Sequence, residues 1–176
     1  INAQNGVDVG AEIQWRWTKK MHKPVVFVVN QLDHEKANFE ETLHQLKQYF
    51  GGSVLPLQYP VNAGVGFDSV IDLLQMKLLK FPANGGKMIV GDIPAGEKDK
   101  AEEMHAALIE AAAENDEALM DKFFEEGTLS EEEMMNGLKL GVINRGTFPV
   151  VCIAAKTDQG VDRMMQIIKG NCPSPA

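Results

Sequence analysis

Val25-Val26-Phe27-Val28-Val29-Asn30-Gln31-Leu32-Asp33 is the stretch on which the fold turns. Five consecutive apolar residues, four of them β-branched, read as a strand of a parallel sheet covered on both faces. Pro24 sets its start, because proline and the residue before it are poorly suited to continuing a helix. The strand opens at once into Asn30-x-x-Asp33. An ionised Asp accepts two parallel hydrogen bonds, and an Asn amide offers one donor and one acceptor. Guanine presents a matching donor pair in its N1–H and exocyclic amine, and adenine does not. The plain alternative is a strand-ending turn in which Asn and Asp serve only turn chemistry.

Outward from this strand the pattern is helix, strand, helix. Residues 9 to 21 read as a helix, with Ile13, Trp17 and Met21 at four-residue spacing on one face. Trp15 and Trp17 point to different sides of it, so only one faces the core squarely, and the other is expected to pack against sequence beyond the chain. Asn38 caps a second helix whose buried stripe is Phe39, Leu43, Leu46 and Phe50, ended by Gly51-Gly52. The α/β pattern resumes near the C-terminus with the apolar run 148–154 and a helix over 160–169.

Between these halves the texture changes. Residues 54–57, 70–74, 76–81 and 87–90 are strand candidates separated by Gly, Asn and Pro, and Asn84-Gly85-Gly86 is a hairpin turn. Helices follow Pro94, one of them opened by the capping box Ser130/Glu133. On another, Glu103, Glu110 and Glu114 share a face, opposite Met104, Leu108, Ala111 and Ala112. Phe123-Phe124 and Met134-Met135 are expected in the core. We read residues 53–146 as an α+β insertion within an α/β domain formed by 1–52 and 147–176.

The net charge of −8 is unevenly placed: residues 92–133 hold fifteen acids and three lysines, a balance of −12. That argues for an acidic face on the insertion and against nucleic-acid contact through it. No apolar run reaches the roughly 20 residues of a membrane span. Cys152 and Cys172 suit reduced thiols in a cytoplasmic setting. The four histidines lack ligand-like spacing, so no metal site is expected. Ile1 at the start and Pro173-Ser174-Pro175-Ala176 at the end suggest a piece of something longer.

Taken in order, these features resemble the guanine-nucleotide domain of bacterial elongation factor G. The resemblance spans essentially the whole chain. It is carried by Gly6-Val7-x-Val9 with Glu12 and Trp15, the Asn30/Asp33 loop, Ala37-Asn38-Phe39-Glu40 and the Val70-Ile71-Asp72-Leu73…Met76-Lys77 hairpin. It continues through Asp92-Ile93-Pro94, Glu117-x-Leu119-Met120-x-Lys122, Ser130-Glu131-Glu132-Glu133, Pro149-Val150, Lys156-Thr157-Asp158-Gln159-Gly160-Val161 and Pro173-Ser174-Pro175. The ribosomal-protection tetracycline-resistance proteins are the nearest rival, but that family less often shows the Val-Ile-Asp-Leu…Met-Lys hairpin.

The resemblance implies an incomplete P-loop GTPase-type fold, its C-terminal half, with an inserted subdomain. It implies GTP or GDP read by Asn30, Gln31 and Asp33 on one loop and by Ala154, Ala155 and Lys156 on the other. It also implies a ribosomal partner, including a stalk-protein contact at Glu103, Glu110 and Glu114.

Two positions depart from the family. Gln31 stands where a Lys stem covers the purine, and Ile153-Ala154-Ala155 stands for Gly-Ser-Ala. Ala154 keeps the backbone donor of its loop and loses the hydroxyl. The lost hydroxyl is worth about 0.5–1.5 kcal/mol and the Gln31 change roughly 0.5–1 kcal/mol, enough together to weaken binding about ten- to fiftyfold. Residues 1–176 hold no Gly-x-x-x-x-Gly-Lys-Ser/Thr phosphate cradle, so phosphate and Mg²⁺ ligands are expected upstream of Ile1. A ribosome-docking module with relaxed or lost nucleotide binding is the competing reading.

Overall fold

The computed structural model describes residues 1–82 and 87–173; the expected Asn84-Gly86 turn lies outside them. Helix α1 (Val9–Lys20) starts at Asp8, whose carboxylate accepts the Ala11 N–H at 2.7 Å. Strand β1 (Phe27–Val29) follows, then α2 (Phe39–Phe50), capped as expected by Asn38 Oδ1 on the Glu41 N–H. Strand β2 is Val54–Pro56, and β7, far along the chain, is Phe148–Cys152.

β1, β7 and β2 form a parallel sheet in the order β1-β7-β2. β1 is shorter than the apolar run 25–29, and the expected neighbour at 148–154 pairs with it in parallel. Helix α6 (Val161–Asn171) completes this part.

A second sheet, antiparallel, has the order β3-β4-β5-β6. Its strands are β3 (Gln58–Pro60), β4 (Ser69–Asp72), β5 (Lys77–Lys80) and β6 (Ile89–Gly91). Helices α3 (Lys98–Ala113), α4 (Glu117–Glu126) and α5 (Glu131–Asn144) follow. Helices α3 and α5 approach closely because Gly137 has no side chain: a Cβ there would come 2.4 Å from the Ala112 carbonyl oxygen.

The two sheets meet at a buried polar seam. The Leu57 N–H donates to Val150 O at 2.9 Å, and the Cys152 N–H donates to Gln58 Oε1 at 3.2 Å. Gln58 Nε2 reaches Asp72 Oδ2, which also takes Arg163 Nε from α6 at 2.7 Å. Asp72 Oδ1 accepts the Leu74 and Gln75 N–H groups, so this buried carboxylate is fully engaged.

Four readings need correction. Val54–Pro56, placed in the insertion by sequence, pairs with β7 and so belongs to the parallel sheet. β3 was not foreseen; it is an edge strand that ends on Pro60 and, among the described residues, pairs only with β4. On α1 the Ile13-Trp17-Met21 stripe faces solvent, at 45%, 55% and 60% exposure. The packed side carries Ala11 and Trp15, with the Trp15 ring 4.8–5.9 Å from Phe27, Phe50 and Phe148. Finally, Phe124 is exposed while Phe123 packs on the core, since successive helical residues diverge by about 100°. Met134 and Met135 divide the same way, buried and half-buried.

Candidate functional site

Val29 lies opposite Cys152, so β1 and β7 end together and release two loops side by side, 30–34 and 153–160. Ligands of open parallel sheets bind at such carboxyl ends. Asn30 ties the loops together: its Oδ1 accepts the Ala155 N–H at 3.0 Å and the Gln31 N–H at 2.7 Å. The Leu32 N–H adds a second link, to Ile153 O at 3.4 Å. The Asn30 backbone is itself held, donating to Ile1 O and accepting from the Ala3 N–H. With Oδ1 spent on the loop, the Asn30 amino group is the donor left for a ligand.

Asp33 is half-buried, and among the described residues its carboxylate has no hydrogen-bond or ion-pair partner. Leu32 beneath it is fully buried and anchors the loop. Gln31 has left-handed backbone (φ +65°), and its Oε1 accepts from Asn2 Nδ2 at 2.9 Å. The position that a Lys stem would fill is thus occupied by a side chain turned to a neighbour.

The second loop departs from expectation in its donor. The Ala154 N–H is not free: it donates to Gln159 O at 2.9 Å, part of the Ala154–Gln159 bridge that closes the loop. Ala155 to Thr157 form a turn of 3-10 helix. The Lys156 N–H, early in that turn, has no partner among the described residues. Gly160 is required at the loop's end, since φ is +79° and a Cβ would meet Cys152 O at 2.7 Å.

Sequence reasoning overlooked Thr157 and Gln159. Thr157 Oγ1 lies 2.7 Å from Gln159 Oε1 and 3.2 Å from Ala154 O, which restores a hydroxyl to a loop that lacks its Ser. The missing Ser at Ala154 was the signal that a neighbouring hydroxyl had to be sought.

Asn30, Gln31 and Asp33 are therefore brought to Ala154, Ala155 and Lys156. Glu103, Glu110 and Glu114 are not part of this cluster. They lie exposed along α3 and its C-cap, with Ala101, Leu108 and Ala112 buried on the other side. A cavity of about 300 Å³ lined by Ile1, Ala11, Trp15, Val25 and Val28 is apolar and flanks β1 instead of the loop ends. Among the described residues no group of three or more His, Cys, Asp or Glu can hold a metal ion, and no helix is long and apolar enough to cross a membrane.

The donors and acceptors at the loop ends suit a guanine edge: a partnerless carboxylate, an amide amino group and a backbone N–H. The family described as "Elongation factor Tu GTP binding domain" matches residues 1–174. A crystal structure of a protein from Thermus thermophilus has the same fold, with a TM-score of 0.89 and 24% identity. The match covers 99% of this chain and 26% of that one, so the chain spans about a quarter of its length.

Proposed function

The chain belongs to the elongation factor Tu GTP binding domain family, and from that premise we propose that it carries the guanine-reading loops of a ribosomal translocation factor of the elongation factor G type. The observation that supports this most is the 3.0 Å bond from the Ala155 N–H to Asn30 Oδ1, which joins two loops 125 residues apart at the carboxyl ends of paired strands. In this reading Asp33 accepts from the guanine N1–H and amine, the Asn30 amino group donates to the ring, and the Lys156 N–H meets O6. Phosphates and Mg²⁺ are left to other sequence of the parent protein, since residues 1–176 contain no phosphate-cradle motif. Residues 1–52 and 147–176 form the nucleotide-binding part, with β2 retained by its sheet, and the remainder of 53–146 is an inserted subdomain. Its exposed Glu103, Glu110 and Glu114 meet a basic surface of the ribosomal stalk protein in the cytoplasm.

An NMR titration of the chain with guanosine and adenosine tests the base-reading claim. Guanosine should shift Asn30, Asp33, Ala155 and Lys156 and adenosine should not; equal response to both sinks it. The engagement of Gln31 by Asn2 favours one rival, a ribosome-docking module with relaxed nucleotide binding, and the absence of any guanosine response would support it. For the stalk contact, changing all three glutamates to Lys should slow association and flatten its salt dependence. An unchanged on-rate would leave the stripe as a solvated face.

A further inference from the structure

We infer that residues 61–68, the connection between β3 and β4, brace both base-reading loops, and that Gln159 is the positioning residue through which the brace fixes their separation. This rests on the base-reading proposal for the same site.

On one side the Gly64 N–H donates to Leu32 O at 2.7 Å, one residue before Asp33. Gly64 reaches that carbonyl with φ +104°, a conformation side chains resist. On the other side Gln159 Nε2 donates to Phe67 O at 2.9 Å, from a residue only 6% exposed. The same amide's Oε1 meets the Thr157 hydroxyl, so both ends of it are held.

The connection is internally closed. Its Phe67 N–H donates to Gly64 O at 3.0 Å, and Asn62 Nδ2 donates to Gly66 O at 2.8 Å. Phe67 is buried against Phe81, the residue that follows β5, which anchors the segment beside the antiparallel sheet. The brace therefore touches the Asp33 loop and the Lys156 loop at once.

That matters because the proposed pocket takes its groups from two loops. Hydrogen bonds weaken within a few tenths of an ångström of their best length, so Asp33 and the Lys156 N–H serve one purine only if their spacing is kept. Among the described residues the direct loop-to-loop hydrogen bonds are the Asn30 bond and the long 3.4 Å Leu32 bond. A buried, doubly bonded Gln159 supplies the restraint those two links lack.

Gln159→Met keeps length and burial but removes the donor. In this chain it should raise hydrogen exchange at Ala155 and Leu32 roughly two- to tenfold, the opening expected from losing one neutral hydrogen bond. Amides elsewhere in the parallel sheet should not change. The guanosine-over-inosine preference should fall with it, because inosine lacks the amine that Asp33 is proposed to hold.

Gln159→Glu supplies a second readout. A neutral glutamic acid can donate to Phe67 O and a carboxylate cannot, so protection relative to wild type should return as pH drops below the carboxyl range. Gly64→Ala attacks the other arm and should loosen Leu32 first. Should Gln159→Met fail to fold, these two variants carry the test. Unchanged exchange at Ala155 and Leu32 in the folded variants overturns the brace. A wild-type chain indifferent to the base overturns the base-reading proposal instead, while the exchange data still decide the brace.

Discussion

Asp33→Asn replaces a pair of acceptors with one acceptor and one donor, at a side chain that no described residue engages. Preference should move from guanine toward xanthine, whose 2-oxo group stands where the amine was. Competition between guanosine and xanthosine by NMR measures it; an unchanged ratio means that Asn30–Asp33 is only a turn. Stability should change by about 0.5 kcal/mol or less, as at most partnerless surface positions. That Asn30–Asp33 follows directly on a strand was legible, because the strand and its loop are contiguous in sequence. Gln159 was not, since its acceptor, Phe67 O, is 92 residues away and no local pattern announces it. Nor could sequence show that the Ala154 N–H is consumed by a bridge to Gln159 O.

Among the elements, α5 shows how much a cap can say. Ser130 and Glu133 form the expected box, and Glu133 also takes Lys122 Nζ from α4 at 2.6 Å. These bonds, the one from Lys122 foremost, hold the Glu133 carboxyl down at about 2, against about 4.3 in an unfolded chain. The sign follows: a depressed folded value favours the folded state above the unfolded value, and the benefit is lost as pH falls toward 2. Carboxyl NMR should place the Glu133 midpoint well below that of a free glutamate, and Lys122→Met should raise it. A midpoint unmoved by Lys122→Met would remove the α4–α5 tie. Caps were legible because they need only three or four neighbouring residues. The facing of α1 was not, because Ile13, Trp17 and Met21 on one side compete with Ala11 and Trp15 on the other. Only Phe27, Phe50 and Phe148, brought in from three other elements, decide between them.

Across the whole molecule, the join between the sheets is polar and buried. Asp72 is fully buried and the Arg163 side chain 11% exposed. Arg163→Met leaves that carboxylate without its charge partner, which should cost about 3 kcal/mol, the low end for a broken buried pair because three hydrogen bonds to Asp72 remain. Urea unfolding followed by tryptophan fluorescence and by circular dichroism should lose that amount and keep the two transitions coincident. A loss under about 1 kcal/mol, or transitions that separate, would show the sheets to be independent. The α/β character was readable from texture alone. The seam was not, because Gln58, Asp72, Cys152 and Arg163 come from β3, β4, β7 and α6 and carry no shared motif.

Cys152, sealed beneath that seam with its thiol held by burial well above the ordinary value, doubles as a stopwatch. A maleimide or other alkylating probe reaches it only when the two halves part, so its labelling half-time reports how often the molecule breathes. Cys172, half-exposed near the end of the same chain, supplies the reference signal. Ligands that quiet the breathing should lengthen the first half-time and leave the second alone, which turns the two thiols into a screen for whatever this protein binds.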